Sequence, residues 1–172
     1  LYRYFASRDE LLTALIVDAY DDLADHLEQA GSRARTPRRR WTQTCLAFRA
    51  WAVDQPHRFA LIYGSAIPGY RAPEDTIQPA GRVLLALIGP AAAHTSVPPG
   101  TVPRTLAGQL DAVVATLELD VDRHTMLALV GMFSRLVGLV TLELNGHFVG
   151  GFEPADPLFS ELVEREADAL GL

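Results

Sequence analysis

The sequence predicts an all-α protein, a helical bundle of about seven helices, and three observations carry the prediction. Strand signals are almost absent from the 172 residues, and no segment repeats another. Helix start and stop signals recur along the whole chain. With 49% hydrophobic and 21% charged residues, the composition is that of a globular protein that buries a sizeable core.

The first helix is predicted over Arg8–Ala30, ending at Gly31. Ser7 and Glu10 have the spacing of a capping box, in which each side chain binds a free backbone amide of the first turn. Apolar residues then recur with the helical period on one face, and aspartates occupy the opposite face. Such a helix would be roughly 34 Å long.

Six further helices are predicted from caps, prolines and apolar spacing. They run from Pro37 to about Gln55, over His57–Gly64, from Asp75 or Thr76 to about Ile88, and over Arg104–Leu119, Asp122–Asn145 and Pro157–Leu170. Residues 64–75 and 89–103 are rich in Gly, Pro and Ala and are predicted to be loops.

Charge and cysteine usage limit the classes of function. The net charge is −6, which argues against a nucleic-acid binder with a basic surface all round but permits a small local contact. Cys45 is the only cysteine, so a disulfide within the chain is impossible and a cytoplasmic location is expected. The longest apolar run, Met126–Leu144, is interrupted by polar and charged residues, and we therefore predict no membrane partner.

The sequence contains no recognisable catalytic motif. We therefore predict that the protein is not an enzyme and needs no cofactor or metal. Glu143 and His147 have the spacing of two metal ligands on one helix, but no third ligand lies nearby in the sequence. A pair between these two side chains or a helix-end charge contact is the favoured interpretation.

Two segments carry a resemblance to a known family. The opening, LYRYFASRDELL, resembles the junction in TetR-family transcriptional regulators where a recognition helix ends in Tyr-x-x-Phe and the next helix begins with Ser-Lys/Arg-x-x-Leu. The segment MFSRLVGLVTLELNGHF (132–148) resembles the WHG-type C-terminal effector domain of that family, with Phe133 where Trp is usual. Residues 49–75 resemble the same domain.

The resemblance implies two parts of unequal size. Residues 1–6 would be the end of a helix-turn-helix DNA-binding domain whose larger part is expected before Leu1, and residues 7–172 would bind the effector and dimerise. It places Tyr2, Arg3, Tyr4 and Arg8 near the DNA backbone, where arginines, hydroxyls and helix N-termini are the usual phosphate contacts. Alternatively, the tyrosines fill a small core and Arg8 is merely solvated.

Aromatic residues are concentrated in the middle of the chain and predict a pocket for an apolar or aromatic effector. The alternative is an ordinary core. The predicted pocket residues are Phe48, Trp51, Phe59, Tyr63, Tyr70 and Phe133.

The helix Asp122–Asn145 carries a seam of small and semi-polar residues. Gly131, Gly138 and Asn145 are spaced by seven, with Arg135 and Leu142 between them. The resemblance implies that this seam pairs two subunits in a homodimer, and packing within one chain is the alternative.

The predicted function is therefore that of a ligand-responsive bacterial regulator, and specifically a repressor. As a homodimer it would bind double-stranded operator DNA until a small apolar or aromatic effector released it. The alternative is an all-helical protein that binds a small molecule or a partner helix and has no DNA role.

Overall fold

The computed structural model describes residues 5–95, 97–98 and 100–172, and these form seven α-helices with no strand among them. The helices are α1 (Arg8–Ser32), α2 (Pro37–Asp54), α3 (Pro56–Tyr63), α4 (Ile77–Ala92), α5 (Arg104–Thr116), α6 (Arg123–Leu144) and α7 (Asp156–Ala169). A single 3-10 turn, Glu74–Thr76, precedes α4. The predicted all-α class and the number of helices are thus confirmed.

Local capping explains where the longest helices begin. The Ser7 hydroxyl accepts a hydrogen bond from the Glu10 amide at 3.1 Å, and the Glu10 carboxylate reaches back to the Ala6 amide at 2.8 Å. Thr36 caps α2 through the Arg39 amide, and Asp122 caps α6 through the Thr125 amide. These caps are short-range, which is why the sequence reveals them.

Helix α4 extends further than predicted. The sequence places its end near Ile88 because Gly89 and Pro90 follow, but the helix continues through both residues to Ala92. Proline lacks an amide donor and usually ends or kinks a helix. Here Ala91 and Ala92 are buried, and their packing against the core favours the extra turn.

The core lies where α1, α2, α4 and α6 meet. Helix α1 packs mainly on α4 and α2, while α6 contacts α4, α5 and α2, and α7 contacts α2. The largest fully buried side chains are Trp41 and Phe48 of α2 and Phe159 of α7. Arg38 joins the start of α2 to α7, since its guanidinium binds Glu164 at 2.6 Å and Asp168 at 2.7 Å.

Helix α6 differs from the sequence expectation in one respect. By length and composition it could cross a membrane, with a window of mean hydropathy 1.8, although the sequence analysis rejected this segment. Only 33% of that window is buried within the chain. The helix nevertheless packs against α2, α4 and α5, and its two charged residues near the C-terminal half, Arg135 and Glu143, both form ion pairs with other helices.

Candidate functional site

Four of the six predicted pocket residues come together in the middle of the bundle. Phe48, Phe59, Tyr63 and Phe133 pack ring against ring, with ring centroids 5.2–6.2 Å apart in the contacting pairs. Tyr20 of α1 joins them through Tyr63 at 6.2 Å. Burial raises the pKa of the Tyr63 phenol well above its usual range, and Tyr20 adds to the shift. The rings fill the space between them and form part of the core.

Trp51 faces a different neighbour. Its indole Nε1 donates to Asp22 Oδ2 of α1 at 2.7 Å, and the same carboxylate oxygen accepts from Arg58 at 2.9 Å. Trp51 also lines a cleft beside His26 and Gln55, on the outer side of α1 and α2. The indole N–H of Trp51 is therefore occupied by a carboxylate and not free for a ligand.

An open cavity of about 500 Å³ lies beside the aromatic cluster. Its walls come from α1, the end of α3, the segment 64–73, which we call the strap, and the start of α4. Apolar side chains dominate it, and its polar side chains are all hydroxyls. The lining residues are Ile16, Tyr20, Leu61, Ile62, Gly64, Ser65, Ala66, Ile67, Tyr70, Ala72, Thr76, Ile77 and Ala80.

Tyr70, the sixth predicted pocket residue, stands at the edge of this cavity. The strap makes a tight turn at Ile67–Tyr70, where the Tyr70 amide binds the Ile67 carbonyl at 3.1 Å and Gly69 has a φ of +77°. Pro68 and Gly69 are the residues that such a turn requires, because the third position needs a positive φ. The turn brings the Tyr70 hydroxyl to 3.0 Å from Thr13 Oγ1 on α1.

A second cleft of about 500 Å³ lies on the other side of Tyr70, at the N-terminal end of α1. Its lining is polar and mixed in charge, and it includes Asp9, Glu10, Arg71 and Asp75. Tyr70 is therefore a wall between an uncharged cavity and a charged cleft.

Arginines fasten the acidic face of α1 to its neighbours, an arrangement that the sequence analysis missed. Arg58 of α3 binds Asp18 and Asp22. Arg82 of α4 binds three acidic residues of α1, among them Asp25 at 2.7 Å. The carboxylates are 45–73% exposed and the two arginines are half-buried, so each pair is weak. Together the pairs join α1 to both helices that frame the cavity.

Of the predicted DNA contacts, only Arg8 can be located. Tyr2, Arg3 and Tyr4 lie outside the described residues. Arg8 is exposed in the first turn of α1, directly after the Ser7 cap. An exposed arginine beside a helix N-terminus is a suitable phosphate contact.

Four of the five predicted dimer residues lie on one face of α6, and the fifth, Asn145, directly follows the last residue of the helix. Gly131 and Gly138 are half-buried, and Arg135, Leu142 and Asn145 are exposed. We call this face the α6 stripe, and we include in it the exposed Leu127 and Val130. A Cβ added to Gly138 would meet no atom within 4 Å, so packing within the chain does not explain this glycine.

A groove of about 340 Å³ runs beside the stripe, between α6 and α7. Leu139, Leu142 and Leu162 are among its apolar walls, and Trp41 lies at its base. Arg135 and Glu166 form its polar edge, where the Arg135 Nη2 donates to Glu166 Oε2 at 2.7 Å. An apolar groove with a single charged edge suits a packed helix.

Glu143 is held by Arg49 of α2 through two hydrogen bonds of 2.7 Å, an ion pair between helices that the sequence did not predict. Arg49 also binds Asp156 at 3.1 Å and lies over the Phe159 ring. Among the described residues, no group of three or more His, Cys, Asp or Glu side chains is arranged to hold a metal ion. Cys45 is completely buried, and burial raises the pKa of its thiol well above the usual value.

Comparison with known proteins identifies the family. A family model for the C-terminal domain of tetracycline-repressor-like proteins matches residues 41–166. The HTH-type transcriptional regulator Mb1846 of Mycobacterium bovis is 35% identical in an alignment 158 residues long, which covers 86% of this chain and 67% of that protein. Rv1816, an HTH-type transcriptional regulator of Mycobacterium tuberculosis, matches with the same identity and coverage.

Solved structures agree with this assignment. The crystal structure of SCO4313, described as a regulatory protein, matches with a TM-score of 0.72 and 34% identity, covering 98% of this chain and 76% of the other. A Rhodococcus sp. RHA1 protein of unknown function matches with a TM-score of 0.70, covering 99% of this chain and 76% of the other; its 20% identity speaks for the fold alone. The chain belongs to the TetR family of transcriptional regulators.

Proposed function

We propose that residues 7–172 are the effector-binding and dimerisation part of a repressor, and that residues 1–6 end its helix-turn-helix domain. The repressor acts in the cytoplasm and binds operator DNA as a homodimer until a small molecule releases it. One observation carries the proposal. Helix α1 both walls the uncharged cavity and presents Arg8 at its N-terminus. One helix therefore connects a ligand site with the end at which DNA contacts are expected.

The α6 stripe supports the homodimer. Leu127, Val130, Leu142 and the neighbouring Leu162 of α7 are each 36–45% exposed, although large aliphatic side chains usually lie inside. Two copies of α6 and α7 would bury these residues in a four-helix arrangement, with Gly138 allowing close approach of the partner helix. The high hydropathy of α6 follows from the same arrangement, because one of its faces serves the core and the other serves the interface.

The cavity supports a neutral effector of largely apolar character. Among the described residues, its lining contains no charged side chain that could offset the desolvation of a charged ligand. Its volume of about 500 Å³ lies within the usual range for small-molecule sites. Of the predicted aromatic residues only Tyr70 lines the cavity, because Phe48, Phe59, Tyr63 and Phe133 pack on each other.

Release of DNA then follows as a shift between two states. An effector that binds better to the state with a displaced α1 raises the population of that state. Because Arg58 and Arg82 fasten α1 to α3 and α4, a displacement of the cavity walls moves α1 with them. The two DNA-binding heads of the dimer would leave their common register on the operator.

The test is a salt titration of DNA binding by the full-length protein and its Arg8→Ala variant. If Arg8 of each protomer contacts one phosphate, the variant should bind all sequences more weakly, and the slope of log affinity against log salt should become shallower by about two. Arg33→Ala is the matched control, because Arg33 is an exposed arginine about 37 Å away at the other end of α1. An unchanged slope for Arg8→Ala would remove the backbone contact from the proposal.

A further inference from the structure

Of the residues that the structure describes, Tyr70 alone lines both the uncharged cavity and the charged cleft at the start of α1. Its hydroxyl lies 3.0 Å from Thr13 Oγ1, although the two residues are 57 positions apart in the sequence. The strap is thereby attached to the second turn of α1.

The direction of this hydrogen bond follows from the neighbouring contacts. Thr13 has one hydroxyl proton, and it donates that proton to the Asp9 carbonyl oxygen at 2.9 Å. Both hydrogen bonds of Thr13 can form together only when the Tyr70 O–H is the donor and Thr13 Oγ1 is the acceptor. A ligand that accepts a hydrogen bond from Tyr70 must therefore replace Thr13 as the acceptor.

Three other hydroxyls line the cavity, those of Tyr20, Ser65 and Thr76, and Ser65 is exposed. Thr76 donates to the Pro73 carbonyl at 2.7 Å, and the Tyr20 hydroxyl lies 3.5 Å from the Ile62 carbonyl. Tyr70 combines a position at the edge of the cavity with an attachment to another helix. A ligand that recruited this donor would break the hydrogen bond between the strap and α1.

We propose that the Tyr70–Thr13 hydrogen bond is a latch. A neutral, largely apolar ligand opens it when a hydrogen-bond acceptor of the ligand replaces Thr13 as the partner of the Tyr70 hydroxyl. The ligand class is that of uncharged ketones, esters and ethers. Opening the latch detaches the strap from the first turns of α1. This inference deepens the proposed function, since it names the ligand class of the same cavity and the contact through which the ligand reaches α1.

The latch is tested first without ligand, by hydrogen exchange in the full-length protein. Tyr70→Phe removes the hydroxyl and keeps the ring, and Thr13→Val removes the acceptor and keeps the shape. Each variant should raise exchange of the strap amides about three- to tenfold, as expected for the loss of one hydrogen bond. The double variant should add nothing further, because both changes remove the same bond.

The matched control is Tyr63→Phe, which deletes a tyrosine hydroxyl in the aromatic cluster and away from the cavity lining. It should leave exchange of the strap unchanged. The latch would be overturned if neither variant raised exchange of the strap amides, or if the two increases added in the double variant.

The ligand class is tested with two naphthalene probes. Prodan is neutral and carries a ketone, whereas anilinonaphthalene sulfonate is an anion. Prodan should bind and raise exchange of the peptide at residues 9–14 in the wild type, and it should cause no further rise in Tyr70→Phe. The sulfonate should leave that peptide unchanged. The proposal is contradicted if Prodan leaves exchange of this peptide unchanged in the wild type, or if it raises exchange equally in Tyr70→Phe.

Neither measurement involves DNA, so the two proposals can fail separately. A latch that opens with Prodan in a protein that never binds DNA specifically would refute the repressor and keep the latch. If an effector releases DNA equally well from the wild type and from Tyr70→Phe, the repressor stands and the latch is refuted.

Discussion

Gly138→Leu tests the α6 stripe with opposite effects on the protomer and on the dimer. Within one chain, a side chain at this position enters open space, since a Cβ there has no neighbour within 4 Å. Replacing a helical glycine removes a cost of about 1 kcal/mol relative to a good helix former. The isolated protomer should therefore keep its helical content and should be no less stable.

The dimer should respond in the other direction. A leucine in the middle of a close helix–helix contact prevents the partner from approaching, and disruption of a central interface residue costs about 2–4 kcal/mol. That energy corresponds to a dimer dissociation constant raised about 30- to 1,000-fold. Sedimentation equilibrium across a range of protein concentrations measures the constant directly.

The matched control is Gly108→Leu, the same change on the exposed face of α5, where an added Cβ also meets no atom within 4 Å. It should leave the dissociation constant unchanged. If Gly138→Leu sediments as the same dimer with the same constant as the wild type, the α6 stripe is not the interface.

Three further predictions concern stability and chemistry. Arg49→Met leaves Glu143, whose side chain is only 16% exposed, without its partner. The substitution should lower the Tm by roughly 5–10 °C, corresponding to about 2–3 kcal/mol. The control Arg165→Met breaks an exposed pair on α7 and should change the Tm by less than about 2 °C. The pKa of the Asp156 carboxyl is lowered in the folded chain, chiefly by its hydrogen bond with Arg49, so the ion pair stabilises the fold above the unfolded pKa of about 3.9 and this stabilisation is lost as the pH falls below it. Between about pH 5 and 3, the Tm of the wild type should therefore fall more steeply than the Tm of Arg49→Met. Parallel curves of Tm against pH would contradict the pair. Cys45 should resist a thiol reagent at pH 8 until the chain is unfolded, because its thiol is buried and its pKa is raised; rapid labelling of the native protein would contradict the packing of α2.

Most of the fold could be predicted because its signals are local. The Ser7 and Asp122 caps lie within three residues of the amides that they bind, and both helix starts were placed correctly. The end of α4 was predicted wrongly, since the local signal of Pro90 is outweighed by the burial of Ala91 and Ala92 against distant parts of the chain.

The candidate site was less accessible from the sequence. The composition located the aromatic cluster, but only the structure separates rings that pack on each other from Tyr70, which borders open space. The acidic stripe of α1 was visible in the sequence, whereas its partners Arg58 and Arg82 lie on other helices at spacings that no periodicity encodes. The α6 stripe was visible because its residues recur along a single helix.

The central claim is that the protein is a DNA-binding homodimer joined through the α6 stripe. The most direct measurement is the mass and affinity of the complex that the full-length protein forms with a DNA fragment selected from random sequence, with Gly138→Leu beside the wild type. The account predicts two wild-type protomers on one selected site and a large loss of affinity in the variant. A single protomer per site with equal affinity in both proteins, or no preference for any sequence, would contradict it.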